Sequence, residues 1–316
     1  MKQNTPVIMV KNLKKSYKDN NVLKGVNLSV EKGSIFALLG SNGAGKTTMV
    51  KILATLLKPD GGNAEICGYN VEKQAEQVRS QISLTGQYAA VDEMLTAREN
   101  LRIMGALRHL SDKNEQTERL LESFRLTDAA NRLVNTYSGG MRRRLDIAMS
   151  MMGNSPVVFL DEPTTGLDPQ NRLAMWNIVK SMADNGTTVF LTTQYLDEAE
   201  YLADHIAILH EGVIIADGTS DDLKEKLPQG IIELHFEDET QQNKAIELLG
   251  NYPLRKGEEE YSIDIQTDGG AQQFAEVLNI LNNKNIKILK FAPKQPTLED
   301  AFLTLIGENK EDTIYE

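Results

Sequence analysis

The chain has 316 residues, of which 41% are hydrophobic and 25% charged, with a formal net charge of −11. These values are ordinary for a soluble globular protein of about two domains, and no apolar run approaches the roughly 18 residues of a membrane-spanning helix. The amino terminus shows no signal-peptide core, and the single cysteine, Cys67, excludes an internal disulfide and fits a reducing compartment.

Residues 1–218 alternate short β-rich runs with helical patterns, which predicts a parallel sheet with helices on its faces. The predicted strands are Ile35–Leu39, 82–84, Val157–Asp161, 188–192 and 205–209. The predicted helices are 46–57, 170–183 and 196–203. Strand signals vanish between about 88 and 154, where helical patterns at 95–108 and 114–124 predict an inserted helical subdomain.

Beyond a turn-rich stretch at 211–220 the composition becomes acidic, with 20 acids against 10 bases in residues 219–316. The predicted strands there are Ile231–Phe236, 261–265 and 286–291, and the predicted helices are 241–249, 271–282 and 298–305. Together they predict a separate small α+β domain. Its charge repels nucleic acid and anionic lipid, so we interpret it as a solvated surface, with a basic protein partner as the alternative.

Residues 40–47, G-S-N-G-A-G-K-T, fit the phosphate-loop pattern G-x-x-x-x-G-K-[ST] between a predicted strand and a predicted helix. The glycines allow consecutive backbone N–H groups to wrap a β-phosphate. We expect Lys46 to reach the β- and γ-phosphates and Thr47 to place its hydroxyl on Mg²⁺. The predicted nucleotide-binding residues here are Gly40, Ser41, Asn42, Gly43, Ala44, Gly45, Lys46, Thr47 and Thr48.

Two acids end the predicted core strand Val157–Asp161. Asp161 and Glu162 should emerge at its carboxyl end, the edge at which open α/β sheets bind their ligands. Asp161 is expected to hold Mg²⁺ through water, because this ion keeps much of its hydration shell. Glu162 is expected to orient and deprotonate an attacking water.

The stretch Y-S-G-G-M at 137–141 predicts a second phosphate site. Gly139 and Gly140 allow backbone N–H groups to approach an anion, and Ser138 adds a hydroxyl at an expected helix amino terminus. Either one nucleotide is contacted from two sides or two nucleotides bind. The arginines at 142–144 oppose the helix dipole by about 0.3–1 kcal/mol each, which we interpret as support for a bound anion. Solvation, or pairing with acids such as Asp146, is the alternative.

Five elements in order resemble the ATP-binding cassette ATPases of membrane transporters over residues 7–219. They are the phosphate loop, Gln87 in L-T-G-Q-Y, the signature Y-S-G-G-M-R-R-R-L-D-I-A at 137–148, V-V-F-L-D-E-P, and T-G-L-D-P at 165–169. The Q-Y pair, the arginine triplet, L-T-T-Q-Y-L-D-E-A-E at 191–200 and P-T-L-E-D-A-F-L at 296–303 resemble more narrowly the daunorubicin-resistance type of drug exporter.

The resemblance implies further roles. Tyr17 would stack on adenine, although an exposed turn tyrosine is the alternative. Gln87 would touch Mg²⁺ and the attacking water, and would report the γ-phosphate to the membrane partner. Ser138, Gly139 and Gly140 would bind the γ-phosphate of the ATP held by the opposite subunit, and Asp168 would cross the dimer interface beside Glu162.

One position departs from the wider family. Gln194 stands where many cassette ATPases have histidine. Glutamine can donate a hydrogen bond to a γ-phosphate oxygen, but it carries neither a proton nor a charge at neutral pH. We therefore expect Glu162 to act alone as the base and Gln194 to sense the γ-phosphate.

The sequence thus predicts an α/β protein: a P-loop ATPase core of cassette type over 1–218, with a helical subdomain at about 88–154, and a small α+β domain over 219–316. Its expected function is ATP hydrolysis with Mg²⁺ in a homodimer at the cytoplasmic face of the membrane. That dimer would power a separate permease that exports drug or lipid-like substrates. Neither nucleic acid nor zinc is expected as a partner.

Two other functions are alternatives to a transporter ATPase. A soluble regulator of the same superfamily would act on ribosomes or nucleic acid, although such relatives usually carry two cassettes, long coiled coils or zinc-binding cysteines. A P-loop kinase would leave the Ser-Gly-Gly element and the G-L-D at 166–168 unexplained.

Overall fold

The computed structural model describes residues 6–87, 90–225, 230–257, 259–294 and 297–306. The chain divides into two compact units, Met1–Thr219 and Ser220–Glu316. Several predicted features lie outside the described residues: positions 88 and 89 at the start of the helical subdomain, Pro296, and positions 307–316 of the C-terminal domain. Among the described residues, no helix is both long and apolar enough to cross a membrane.

The first unit combines two sheets with helices between their strands. Its strands are β1 (Ile8–Tyr17), β2 (Asn20–Val30), β3 (Ile35–Leu39), β4 (Gly61–Ile66), β5 (Tyr69–Asn70), β6 (Ile82–Thr85), β7 (Val157–Asp161), β8 (Thr188–Thr193), β9 (His205–His210) and β10 (Val213–Gly218). Its helices are α1 (Lys46–Leu53), α2 (Ala75–Gln81), α3 (Ala97–Leu107), α4 (Lys113–Ser123), α5 (Gly139–Ser150), α6 (Pro169–Asp184) and α7 (Leu196–Leu202).

The larger sheet has the strand order β10-β9-β3-β8-β7-β6 and is parallel except for the edge strand β10. Strands β3 and β7 are buried along their whole length, as their continuous apolar runs predict for strands covered on both faces. Phe36, Phe190 and Phe159 lie side by side on three neighbouring strands, with ring centroids 5.2 and 5.4 Å apart. The predicted α/β architecture is confirmed.

The register of this sheet brings three loops to one edge. Leu39 pairs with Thr193 and Asp161 pairs with Thr192, so β3, β8 and β7 end at the same level. The Gly40 N–H donates to the Thr193 carbonyl at 3.2 Å, which ties the phosphate loop to the end of β8. The residues that follow each strand therefore meet at the carboxyl edge of the sheet.

The smaller sheet, β2-β1-β4-β5, is antiparallel and shares a core with helix α1. Helices α3, α4 and α5 follow β6 and precede β7, where the sequence predicts a helical insertion, and no strand interrupts them among the described residues. Thr96 and Glu99 form a capping box that fixes the start of α3.

Two local predictions were wrong. The helix predicted over 46–57 ends at Leu53, because Thr55 adopts a left-handed φ of 62° and the Leu56 N–H turns back to the Lys51 carbonyl at 2.8 Å. The stretch 211–220, predicted as turns, contains β10. Only Glu211 and Gly212, both with positive φ, form the turn between β9 and β10.

The second unit is an antiparallel sheet with helices. Its elements are α8 (Ser220–Glu225), β11 (Ile231–Phe236), α9 (Glu239–Leu248), β12 (Leu254–Lys256), β13 (Ser262–Gln266), α10 (Ala271–Asn283), β14 (Ile288–Lys294) and α11 (Leu298–Ile306). The strand order is β12-β13-β11-β14. Its core is separate from that of the first unit and joins inward residues of β11 and β13 to Val277 and Leu281 of α10.

Candidate functional site

The phosphate loop connects β3 to α1, and close contacts explain its glycines. A Cβ at Gly40 would lie 2.4 Å from the Leu209 carbonyl oxygen, closer than any side chain tolerates. Gly45 has a φ of 112°, which L-residues rarely adopt. The loop thus delivers Lys46 and Thr47 to the first turn of α1, where free N–H groups and the helix dipole favour an anion.

Lys46 is held by the loop that carries it. Its Nζ donates to the Gly40 carbonyl at 2.7 Å and to the Ser41 carbonyl at 3.2 Å, and it lies 3.4 Å from Glu162 Oε1. Burial lowers the pKa of Lys46, and the neighbouring Glu162 opposes that effect. A phosphate entering the loop would compete with these acceptors for the ammonium group.

Asp161 lies at the buried end of β7. Its Oδ1 accepts a hydrogen bond from Thr192 Oγ1 at 2.5 Å, and Thr47 Oγ1 lies 3.4 Å from the same atom. A hydroxyl and a carboxylate that meet beside a phosphate loop are oxygen donors of the kind that Mg²⁺ prefers. The donor set at this point fits the metal that the sequence predicts.

Glu162 has the left-handed φ of 49°, a conformation that costs a non-glycine residue about 1–3 kcal/mol and persists only where its surroundings enforce it. Its N–H donates to both the carbonyl and Oγ1 of Thr192, each at 3.1 Å. Its Oε2 accepts from Thr165 Oγ1 at 3.2 Å. This backbone turn aims the carboxylate at Lys46 and the phosphate loop.

A cavity of about 410 Å³ contains most of the predicted cis site. Its lining residues are Asn20, Val22, Asn42, Gly43, Gly45, Lys46, Thr47, Thr48, Gln87 and Glu162. The structure thus places Gln87 beside the phosphate loop, and its contacts with Mg²⁺ and the attacking water stay predictions. Asn20 and Val22 were missed, because the hairpin between β1 and β2 carries no motif of its own.

Six predicted residues of the cis site are not among those that line this cavity: Tyr17, Gly40, Ser41, Ala44, Asp161 and Gln194. Tyr17 is the last residue of β1, pairs in register with the cavity residue Asn20, and is 46% exposed, so its ring is accessible for stacking. Gln194 is half-buried directly after β8, at the same sheet edge as Gly40 and Glu162. Neither lines the cavity among the described residues, and their roles stay predictions.

The signature residues open α5. Ser138 is the N-cap, and its Oγ accepts from the Met141 N–H at 3.2 Å. Ser138 and Gly139 are exposed, and a Cβ at Gly139 would meet nothing within 4 Å. Gly140 is buried, and a Cβ there would lie 2.7 Å from the Asn171 side chain. Gly140 is therefore required for packing within the chain, whereas Gly139 faces open space.

Signature residues of the same chain do not line the phosphate cavity among the described residues. A separate cavity of about 230 Å³ brings Gly139 together with Gln87, Glu162 and the stretch 165–167. Asp168 caps α6, where its Oδ1 accepts from the Asn171 N–H at 2.9 Å and its Oδ2 from Asn171 Nδ2 at 2.6 Å. These hydrogen bonds lower the pKa of Asp168.

The anion argument from the arginine triplet was wrong. Arg142 pairs with Glu93 at 3.2 Å, and Arg144 donates to the carbonyls of Gly140 and Phe124, both at 3.4 Å. Arg143 is buried and bonds carbonyl oxygens and Asp146. Acidic side chains therefore pair with Arg142 and Arg143, and carbonyl oxygens contact Arg144, so the triplet does not require an anion.

Sequence reasoning also missed Glu198, which lies fully buried in α7 behind the site. Its Oε1 accepts from Thr164 Oγ1 at 2.8 Å and from Trp176 Nε1 at 3.1 Å. Burial raises the pKa of Glu198, and the hydrogen bonds from Thr193 and Thr164 oppose the rise. Glu198 belongs to the L-T-T-Q-Y-L-D-E-A-E stretch, but that stretch does not reveal its partners.

These features together define an ATP-hydrolysing cassette: a parallel sheet that carries a phosphate loop, two acids at the end of a nearby strand, and an inserted helical segment. Comparison with known proteins identifies it more narrowly. Residues 23–165 match the family model "ABC transporter". The chain is 42% identical over 315 residues to the daunorubicin/doxorubicin resistance ATP-binding protein DrrA of Streptomyces peucetius, covering 98% of this chain and 95% of that protein. The chain belongs to the ATP-binding subunits of ABC transporters and is an ATPase.

Other similar proteins and solved structures support the same family. The linearmycin resistance ATP-binding protein LnrL of Bacillus subtilis (strain 168) is 33% identical, over 97% of this chain and 100% of that protein. Among solved structures, an ATP-binding subunit of an ABC transporter matches with a TM-score of 0.63 and 32% identity, over 70% of this chain and 92% of that chain. A dimeric ATP-binding cassette in a post-hydrolysis state with ADP and phosphate matches with a TM-score of 0.61 and 25% identity, over 67% of this chain and 98% of that chain.

Proposed function

We propose that two copies of this chain form a homodimer that hydrolyses ATP with Mg²⁺ at the cytoplasmic face of the membrane and powers a separate permease. The proposed cargo is a drug or lipid-like molecule, because similar chains are named for resistance to daunorubicin, doxorubicin and linearmycin. The observation that carries the proposal is the convergence of Lys46, Thr47, Gln87 and Glu162 on one cavity.

In the proposed mechanism, Lys46 exchanges its loop carbonyls and Glu162 for the β- and γ-phosphates. Thr47 and Asp161 would hold Mg²⁺, which neutralises phosphate charge and polarises the γ-phosphoryl group. Departure of Lys46 toward the phosphates leaves Glu162 Oε1 available to take a proton from an attacking water. Gln87 is proposed to orient that water, and Gln194 to donate a hydrogen bond to the γ-phosphate.

The second half of the proposed site comes from the partner copy. Ser138 and Gly139 stand exposed at the amino terminus of α5, a position that favours an anion, and they do not line their own phosphate cavity. We propose that they and Gly140 bind the γ-phosphate held by the other subunit, with Asp168 beside that interface. Residues 219–316 are proposed as an accessory domain that stabilises or regulates the dimer.

The catalytic assignment is tested with Glu162→Gln in the full chain. We expect ATP binding to be retained and turnover to be lost, because glutamine keeps the size of the side chain but cannot accept the proton. Substantial hydrolysis by this variant would remove Glu162 from the base role. Ser138→Arg should yield a monomer that binds ATP and barely hydrolyses it, and full turnover by that monomer would contradict the trans site.

The membrane assignment is tested by purification from detergent-solubilised membranes. We expect a hydrophobic, multi-span protein to co-purify with the chain and to be lost from an ATPase preparation made without membranes. A pool bound only to ribosomes or DNA would instead support the superfamily regulator that the sequence left open.

A further inference from the structure

Arg143 has a hydrogen-bond acceptor for each of its N–H groups. A guanidinium carries five such donors in a fixed plane. Nε donates to the Pro163 carbonyl at 3.0 Å, and Nη2 donates to the carbonyls of Asp161 at 3.0 Å and Glu162 at 3.2 Å. Nη1 donates to the Gly86 carbonyl at 2.6 Å and to Asp146 Oδ2 at 3.3 Å.

Four of these five acceptors belong to the two segments that bear the candidate catalytic side chains, and the fifth, Asp146, lies on α5 itself. Three of them are consecutive carbonyls around Glu162, and the fourth is the carbonyl immediately before Gln87. Arg143 is buried, with 8% of its surface exposed where it lines the small cavity that also contains Gln87 and Glu162, so water has little access to these bonds. Burial lowers the pKa of Arg143, while the charges of Asp146, Asp161 and Glu198 support its ionised form.

The backbone at Glu162 gives these bonds a specific consequence. With a φ of 49° this residue is in the left-handed region, where a glutamate is held only by its surroundings. Thr192 holds its N–H from one side, and Arg143 holds its carbonyl oxygen from the other. The direction of the Glu162 carboxylate therefore depends on where the guanidinium sits.

Arg143 also connects this loop to a second element. It projects from α5, the same helix that Ser138 caps, whereas Glu162 and Gln87 follow strands of the central sheet. A helix moves as a unit, so displacement of its amino terminus by a contact at Ser138 or Gly139 displaces the guanidinium and the carbonyls bonded to it.

We propose that Arg143 is a positioning residue for ATP hydrolysis: its guanidinium fixes the backbone of Glu162 and of the loop before Gln87 relative to α5. The inference rests on the proposed roles of Glu162 and Gln87. Arg143 touches neither nucleotide nor water in this assignment and acts through the two loops alone.

The test compares Arg143→Lys with Arg108→Lys in the full chain. Lysine keeps the charge but offers three donors from one point and cannot reproduce the planar fork. Arg108 is a matched control: it is half-buried in the same unit and donates to Ser83 Oγ at 2.9 Å and Ser155 Oγ at 3.0 Å, away from the site. A misplacement of about 1 Å can cost about 100-fold in rate, and we expect kcat to fall by 10- to 100-fold in Arg143→Lys.

The pattern of effects separates positioning from general damage. In Arg143→Lys, affinity for a non-hydrolysable ATP analogue should stay within about threefold of the unchanged chain, since Lys46 and Thr47 are untouched. Arg108→Lys should keep both kcat and affinity. Arg143→Gln, which removes the buried charge and retains an amide donor, should reproduce the kcat loss with retained affinity.

Three results would overturn the proposal: a kcat in Arg143→Lys equal to that of Arg108→Lys, a loss of nucleotide affinity in step with kcat, or unfolding of both Arg143 variants at the assay temperature. The last would assign Arg143 to the scaffold alone. Glu162→Gln, assayed in parallel, distinguishes the two hypotheses. If that variant is inactive while Arg143→Lys is active, only the positioning role fails; if Glu162→Gln itself turns over ATP, the proposed catalytic assignment fails.

Discussion

Thr192 offers a direct test of how the end of β8 supports the site. Its side chain is fully buried, and its Oγ1 both donates to Asp161 Oδ1 at 2.5 Å and accepts from the Glu162 N–H at 3.1 Å. Replacement by valine keeps the branched shape and removes both bonds. Thr188→Val on the same strand is the matched control. That side chain is equally buried and, within the part of the chain that the structure describes, accepts one hydrogen bond, from the Gly33 N–H at 2.9 Å.

The expected magnitudes follow from the charge of the partners. A hydrogen bond to an ionised group contributes about 1.5–3 kcal/mol, and one between neutral groups about 0.5–1.5 kcal/mol. In Thr192→Val the Glu162 N–H can still donate to the carbonyl of residue 192. The lost stability therefore comes mainly from the missing hydrogen bond to Asp161. We expect the free energy of unfolding to fall by about 2 kcal/mol in Thr192→Val and by about 1 kcal/mol in Thr188→Val.

Tryptophan fluorescence measures this difference. The chain has one tryptophan, and Trp176 lies in the first unit, stacked on Tyr201 with centroids 4.8 Å apart, so its signal follows that unit. The unfolding midpoints of the two variants should differ by about 2–4 °C for a unit of this size. Turnover should fall at least about tenfold only in Thr192→Val, because Asp161 is no longer held in place. Equal stability and equal turnover in both variants would refute the argument.

Two further predictions concern packing and pH. Gly140→Ala should lower the free energy of unfolding by about 1–3 kcal/mol, because the new Cβ must displace the Asn171 side chain. Gly139→Ala should leave the free energy of unfolding unchanged or slightly higher, because a Cβ there meets nothing. If Gly139 meets the partner's nucleotide, Gly139→Ala should nevertheless lower ATP turnover. Thermal unfolding and turnover of both variants distinguish the glycines, and equal stability would contradict the packing role of Gly140. Burial raises the pKa of Glu198, so its protonated form is favoured by folding, and its contribution to stability is lost as pH rises above the unfolded value of about 4.3. Glu198→Gln should therefore flatten the decline of the unfolding midpoint, followed by Trp176 fluorescence, as the pH rises above about 4.3. An unchanged pH dependence would contradict the direction of the shift.

The arginine triplet shows where sequence reasoning stopped. Three bases near the amino terminus of α5, at its fourth to sixth positions, run against the helix-dipole preference, and that conflict was visible without a structure. The acceptors of Arg143 could not be predicted from the sequence. The carbonyls of Asp161, Glu162 and Pro163 lie 18–20 residues away along the chain and come close to Arg143 only in the folded protein. Glu198 was missed for the same reason, since its partners Thr164 and Trp176 come from separate segments.

The sequence by itself determined the phosphate loop, the acids after the core strand, the helical insertion and the family, because each depends on residue order within a short segment. Local chemistry is enough for these: glycines permit the loop, and continuous apolar runs require burial on two faces. Only the tertiary structure decided how the segments meet. Strand register placed Thr192 beside Asp161. Packing placed Gly140 against Asn171 and left Gly139 open, and the fold brought the guanidinium of Arg143 to the backbone carbonyls of Asp161, Glu162 and Pro163. Such contacts join residues distant in sequence, and a buried polar group accepts whichever partner the fold brings within reach.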